Sequence, residues 1–189
     1  MLKKLLIPLA ILTALLWGLG LDEPISRFIY TLRTQELTRF MRAISFVGSK
    51  YVLIPLCIGI LIFLYQKSRW MAWAIPLGTL SAWLSSEILK QLIGRARPEI
   101  SQLVSETSSS FPSGHAMSNT AFYLLILLWA PKNRFARFFC GLMIILMNFS
   151  RVYLGVHWTS DVLGGTALAL IIVEAVFALT KKRLRQAVN

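Results

Sequence analysis

Charge is what this chain has least of. Of its 189 residues only 15% are Asp, Glu, Lys or Arg, against about a quarter in a soluble domain. A water-soluble fold is therefore disfavoured. Carboxylates are scarcer than cations, with 8 Asp and Glu against 20 Lys and Arg and a net charge of +12. There are only two cysteines, Cys57 and Cys140. Each sits inside an apolar run, which rules out a disulfide scaffold and makes both small core residues. Internal repeats and low-complexity tracts are absent, and so are the heptads of a coiled coil.

What the chain has is hydrophobic residues, 56% of the total, gathered in blocks. Six blocks approach the ~20 residues that a helix needs to cross a bilayer: 5–21, 44–65, 70–89, 116–130, 135–153 and 161–180. The expected fold is all-α, a polytopic membrane protein with a bundle of six transmembrane helices, forming one integral-membrane domain over residues 1–189. Blocks four and five are the shortest. In a soluble protein the cationic surplus would suggest nucleic acid. Here it sits largely between apolar blocks and reads as a topology signal, so no nucleic-acid partner is expected. The short loops 66–69 and 131–137 and both ends of the chain are basic and free of carboxylates. They put both termini of a multi-pass membrane protein in the cytoplasm. Gly18 and Gly20 are small enough to precede a leader cleavage, but the Ala-x-Ala preference is poorly met, and the first block is read as a retained span.

The outward connection 22–43 does not span. Ile25, Phe28, Ile29 and Leu32 repeat at helical spacing, as do Leu37, Phe40, Met41 and Ile44, with arginines between them. One or two short interfacial helices are expected, serving either as a solvated connector or as a ramp for an anionic lipid. The run 105–110, Ser-Glu-Thr-Ser-Ser-Ser, reads as no more than a mobile loop.

Three segments at the outward ends of the blocks carry the chemistry. In the first, Lys90 ends block three, and Arg97 follows seven residues later, ahead of Pro98. Two cations near two helical turns apart, if the helix continues, suit a phosphate group. Anchoring to lipid headgroups would use the same residues. The second is Pro112-Ser113-Gly114-His115. Gly114 lets backbone approach a ligand, the first amides of the fourth span favour an anion, and Ser113 adds a hydroxyl. His115 stands where it can hand a proton to a leaving oxygen. The third runs from Ser150-Arg151 to His157 and Asp161. His157 and Asp161 are four apart and share a face if helical. A carboxylate there either fixes the imidazole tautomer and leaves the far nitrogen as a nucleophile, or simply caps a helix start. Arg151 offers a planar fork to phosphate oxygens.

In order, these segments read Lys-x6-Arg-Pro, Pro-Ser-Gly-His and Ser-Arg-x5-His-x3-Asp. That pattern resembles the type 2 phosphatidic acid phosphatase superfamily, in its membrane lipid phosphatase branch, and more distantly the soluble vanadium haloperoxidases. The compact length and the stretches around His115 and His157 look most like bacterial phosphatidylglycerophosphate and undecaprenyl diphosphate phosphatases. The resemblance implies a lipid phosphate or diphosphate monoesterase with its site at the outer membrane face. It implies that His157 forms a phosphohistidine, Asp161 orients it and His115 protonates the leaving group. Lys90, Arg97, Ser113, Gly114 and Arg151 would hold the phosphate. It implies no metal and no cofactor, and as partners only the lipid phosphate substrate and the bilayer. Two other readings share these residues: a phosphotransferase passing the phosphoryl group to another lipid, and a non-enzymatic lipid scramblase or binding protein. Arg95, Glu87, Glu99 and Glu106 fall outside the signature and receive no role. Oligomeric state and the role of Glu174 are not legible.

Overall fold

Eight helices and no strand make up residues 3–99, 102–129 and 133–186, the portion described by the computed structural model. In chain order they are α1 (Lys3–Gly18), α2 (Asp22–Thr31), α3 (Gln35–Val47), α4 (Lys50–Tyr65), α5 (Arg69–Ile93), α6 (Gly114–Trp129), α7 (Arg134–Tyr153) and α8 (Thr159–Gln186). The six long ones correspond to the six apolar blocks, and α2 and α3 to the interfacial segment. Helices α7 and α8 are each long and apolar enough to cross a bilayer alone. The pairs α1–α2 and α3–α4 reach that length only as units bent by 92° and 45°, and α6 is a shorter apolar helix. The fold is the all-helical membrane bundle expected from the blocks.

Local chemistry sets the helix ends. The Thr34 hydroxyl accepts from the Leu37 amide at 3.1 Å, Ser68 caps α5 and Asn133 caps α7, each satisfying an orphan amide of a first turn. Helix α5 stops at Gly94, whose left-handed φ of 63° suits a residue with no side chain. One boundary differs from expectation. Residues 44–47 belong to α3, and the chain turns at Gly48 and Ser49 before α4 begins. Apolar content runs straight through that turn, so hydropathy alone merges the two helices. Ala130 of the fourth block, with Pro131 and Lys132 of the following loop, lies outside the described residues.

Helix α6 is the centre of the bundle, packed against α5, α7 and α8, while α1 lies on α8 and α4 on α5. Ala116, Met117, Ala121, Phe122 and Leu125 are all buried. Beyond its polar first turns α6 is apolar on every side, and such a helix belongs inside. The outer faces of the surrounding helices expose Ile7, Ile11, Ile58, Ile62, Trp73, Leu80, Phe138 and Ile145. A soluble monomer rarely exposes an apolar patch above a few hundred Å²; around a bundle in hydrocarbon such a belt meets the solvent it suits. Cys57 and Cys140 are unpaired and buried in the core.

The short helices do not float. Met41 of α3 is buried with Tyr153, Leu154 and Val156, and Ile29 and Leu37 pack on them. Between α2 and α3, Arg33 donates from Nε (3.0 Å) and Nη2 (2.7 Å) to the Tyr153 carbonyl and stacks over Tyr30. The connector is thus fastened to the end of α7. At that same end meet the C-terminus of α5, the N-terminus of α6, the C-terminus of α7 and the N-terminus of α8, and most of the buried polar residues collect there.

Candidate active site

Lys90 lies in the last turn of α5 and Arg97 in the loop beyond it. The helix does not continue between them, because Gly94 reverses the backbone. They nevertheless converge: Lys90 Nζ and Arg97 Nη2 are both 3.2 Å from Ser108 Oγ. Lys90 also donates to Glu87 Oε1 at 3.0 Å. Arg97 is tied further, with Nε to the Ser108 carbonyl at 2.6 Å and Nη1 to the Val156 carbonyl at 2.5 Å. The reading of 105–110 as a mobile loop is therefore corrected. Ser108 receives both cations, Glu106 pairs with Arg151 and Ser110 donates to Asp161. A polar run looks solvated in sequence because its partners lie on distant helices.

Helix α6 begins at Gly114. A β-carbon there would sit 3.0 Å from Ser86 Oγ and 3.7 Å from Lys90 Nζ, so glycine lets the first turn of α6 lie directly on α5. Ser113 is fully buried ahead of it. Its hydroxyl faces the Ala116 amide at 3.4 Å and its own amide donates to the Asp161 carbonyl at 3.1 Å. His115, half-buried, lies against Ser45 and within electrostatic reach of His157, Arg151 and Lys90. One turn on, Asn119 Nδ2 donates at 2.9 Å to both the Gly48 and His115 carbonyls, locking this turn to the α3–α4 bend.

Arg151, in the last turn of α7, is 2% exposed. Its fork reaches Ser45 Oγ at 2.6 Å and Glu106 Oε1 at 2.7 Å, and Nε has no protein partner. His157 lies between α7 and α8, two residues before α8 begins, so the four-residue spacing does not place it on a shared helical face with Asp161. The turn still brings them together: His157 Nδ1 is 3.6 Å from Asp161 Oδ2, and His157 Nε2 is 3.4 Å from Arg97 Nη1. Asp161 is wholly buried and accepts from Arg95 Nη1 at 2.5 Å, from the Ser110 hydroxyl and from the Trp158 amide at 2.8 Å. The last bond is the returning half of a capping box. The carboxylate that caps α8 is the one that faces the imidazole.

The environment fixes protonation. Burial pushes His157 down to about 4; Arg151 and Arg97 act in the same direction, and Asp161 opposes them. The imidazole is neutral at pH 7, with a lone pair available. Burial would raise the Glu106 carboxyl, but Arg151, Arg97 and His157 outweigh it and hold Glu106 below the usual range. Glu106 is thus an anion among cations, paired with Arg151 at 2.7 Å. A neutral imidazole with a carboxylate behind it, Arg97 and Arg151 near it and Lys90 beside Arg97 suits attack on a tetrahedral anion.

All the signature residues come to one end of the bundle. The signature omits Arg95, Asp22, Glu106, Ser110 and Ser45. Asp22 and Arg95 are 73 positions apart yet paired at 2.8 Å, a link that spacing does not encode. Scarcity was the available signal: with 8 carboxylates in the chain, any one beside a cation-rich end is a candidate partner.

Comparison with known proteins gives the family. The sequence profile of the PAP2 superfamily matches residues 70–185. Phosphatidylglycerophosphatase B of Bacillus subtilis is 35% identical over 177 residues, covering 87% of each chain. An undecaprenyl-diphosphatase of Sulfolobus acidocaldarius is 29% identical over 158 residues, covering 80% of this chain and 74% of its own. Among solved structures, a transmembrane PAP2 type phosphatidylglycerolphosphate phosphatase from Bacillus subtilis superposes with a TM-score of 0.84 at 30% identity, covering 96% of both chains.

Proposed function

The chain belongs to the PAP2 superfamily and is a phosphatase, and from that premise we propose that it hydrolyses a lipid phosphate or diphosphate through a phosphohistidine on His157. The substrate class follows the names of its relatives: phosphatidylglycerophosphate or undecaprenyl diphosphate. The observation that carries the mechanism is the orientation of one imidazole, with Nδ1 toward Asp161 and Nε2 toward Arg97.

In the first step Nε2 attacks phosphorus and the bond to the leaving oxygen breaks. His115 gives that oxygen its proton, and Asp161 stabilises the positive charge that develops on the His157 ring. In the second step water attacks phosphorus, its proton passing to His115. The phosphorus–nitrogen bond breaks, and inorganic phosphate leaves. Lys90, Arg97 and Arg151 neutralise the equatorial oxygens, with Ser113 and the Gly114 amide at the start of α6. Phosphoryl transfer needs mostly positioning and charge stabilisation, which these cations supply. The basic inner loops support cytoplasmic termini and a site opening at the outer face of the inner membrane.

The test is phosphate release from a panel of lipid phosphates in detergent, comparing wild type with His157→Ala. Wild type is expected to turn over, to be inhibited by vanadate and to be indifferent to chelator, while the variant stays folded and inactive. Undiminished release by His157→Ala, or a strict magnesium requirement, would overturn the mechanism.

A further inference from the structure

Behind the site lies a second charged cluster that the signature does not contain. Arg95 donates Nη1 to Asp161 Oδ1 at 2.5 Å and Nη2 to Asp22 Oδ2 at 2.8 Å. Its Nη1 also reaches Ser160 Oγ at 2.7 Å. Asp22, at the first turn of α2, is 4% exposed. It accepts from the Ser160 amide at 2.8 Å and from the Ser160 hydroxyl. The guanidinium stacks on Trp17 of α1, 4.0 Å from the ring centroid, and faces Trp158 at 5.9 Å. One cation, its side chain 12% exposed, therefore joins two buried carboxylates from distant parts of the sequence. Buried carboxylates persist as ions only when paired and hydrogen-bonded; here both share the same partner.

We propose that Arg95 is a positioning residue for the reaction, dividing one positive charge between Asp161 and Asp22. It thereby fixes both the orientation of Asp161 and the charge that His157 meets at Nδ1. The proposal rests on His157 being the nucleophile. Asp161 carries a full negative charge toward the imidazole only to the extent that Arg95 is occupied elsewhere, and Asp22 is what occupies it. The three groups together bear one negative charge. Asp22 also holds the first turn of α8 through Ser160, so the elbow between α1 and α2 sets the position of the helix that carries Asp161. The other charged groups facing His157 are Arg97 from the α5–α6 connection, Arg151 from α7, Glu106 from the 105–110 run and His115 from α6, with Lys90 of α5 facing His115. None of these touches Arg95, so its substitution leaves the phosphate-binding face in place.

The experiment is the pH dependence of kcat/KM on a lipid phosphate in detergent for wild type, Arg95→Gln, Arg95→Lys and the double variant Arg95→Gln/Asp22→Asn. Folding is checked by gel filtration and thermal melting. Arg95→Gln leaves two negative charges in the cluster, which favours protonated His157. Its acid limb is expected to move up by about one pH unit, with kcat down about tenfold or more and KM within about twofold. Arg95→Lys keeps the charge and loses the fork, so its limb is expected to stay near wild type while kcat falls. The double variant restores a single negative charge, and its limb is expected to return toward wild type.

A merely structural role predicts otherwise: the double variant is worse than Arg95→Gln, and no limb moves. An unmoved limb in Arg95→Gln, or no return in the double variant, overturns the proposal. If Arg95→Gln fails to fold, Asp22→Asn decides alone. Its limb is expected below that of wild type, and an unmoved or raised limb overturns the proposal. His157→Ala, run alongside, separates the two claims, because full turnover there sinks the nucleophile assignment itself.

Discussion

The two sides of the His157 ring are built on opposite plans. On the Nε2 side stand Arg97 and Arg151, with Lys90 beside Arg97, and their donors rest on serine hydroxyls, on backbone carbonyls and on the partly exposed carboxylates Glu87 and Glu106. Arg151 even keeps one nitrogen without a protein partner. Behind Nδ1 stand the buried Asp161 and Asp22, joined through Arg95 and bonded to Ser110, Ser160 and the Trp158 amide. The front is a cationic cradle whose protein partners the phosphate displaces in the proposed mechanism. The back is paired within the protein, with His157 Nδ1 itself 3.6 Å from Asp161 Oδ2 and without a hydrogen bond among the described residues. In a medium where an unpaired charge is costly, the support side is paired by protein groups while the substrate side is left to the ligand.

That contrast can be broken one side at a time. Removing the imidazole between the two sides has the largest expected effect: His157→Ala lowers kcat about 10⁴-fold or more, read as phosphate release. On the support side, Asp161→Asn keeps the shape and removes the charge. We expect a loss of about 10²–10⁴-fold in kcat with little change in KM; a loss confined to KM would move Asp161 to the substrate side. On the substrate side, Arg151→Ala removes two phosphate donors, for an expected drop of about 10²–10³-fold in kcat/KM, and Arg151→Lys recovers only part of it. The pH profile comes next. His157 must be neutral to attack, and its folded-state value is about 4. The acid limb of kcat/KM attributable to the nucleophile therefore falls as pH drops through about 4, whereas a limb from an unshifted histidine would fall near 6.5. The smallest effect belongs to the resident anion. Glu106→Gln removes the carboxylate that competes with phosphate at Arg151, and the vanadate inhibition constant is expected to fall about fivefold, or ~1 kcal/mol. A weaker inhibition would mean that Glu106 helps to hold the substrate.

The helical membrane bundle was legible because apolar residues gather in blocks that approach the ~20 a bilayer demands, although only α7 and α8 reach that length alone and α6 is shorter. The bend at Gly48 and Ser49 was not, since hydropathy is blind to a turn between two apolar helices. The signature residues were legible because they sit at helix ends, where ionisable groups are conspicuous against hydrocarbon. Their geometry was legible only in part. Spacing left open whether His157 and Asp161 share a helical face or Asp161 caps a helix start; it caps α8, and a turn brings the imidazole to it. Spacing also left open whether α5 runs on to Arg97; Gly94 ends the helix, and Ser108 reunites the two cations. Least legible were Asp22 and Glu106. Glu106 lay outside the signature and Asp22 only opened the outward connection, yet each is paired with an arginine that the folded bundle brings near. Local periodicity reports on neighbours along the chain, and charge pairing at this end depends on helices far apart in it.

The account stands on a covalent bond at one nitrogen. Its most direct test is to quench the enzyme during turnover of a lipid phosphate labelled with radioactive phosphorus, digest it and locate the label by mass spectrometry. The account predicts an acid-labile, alkali-stable phosphoryl group on His157, absent from His157→Ala and lost on a chase with unlabelled substrate. Label on another residue, or full turnover with no labelled protein in a quench fast enough to catch one turnover, would contradict it.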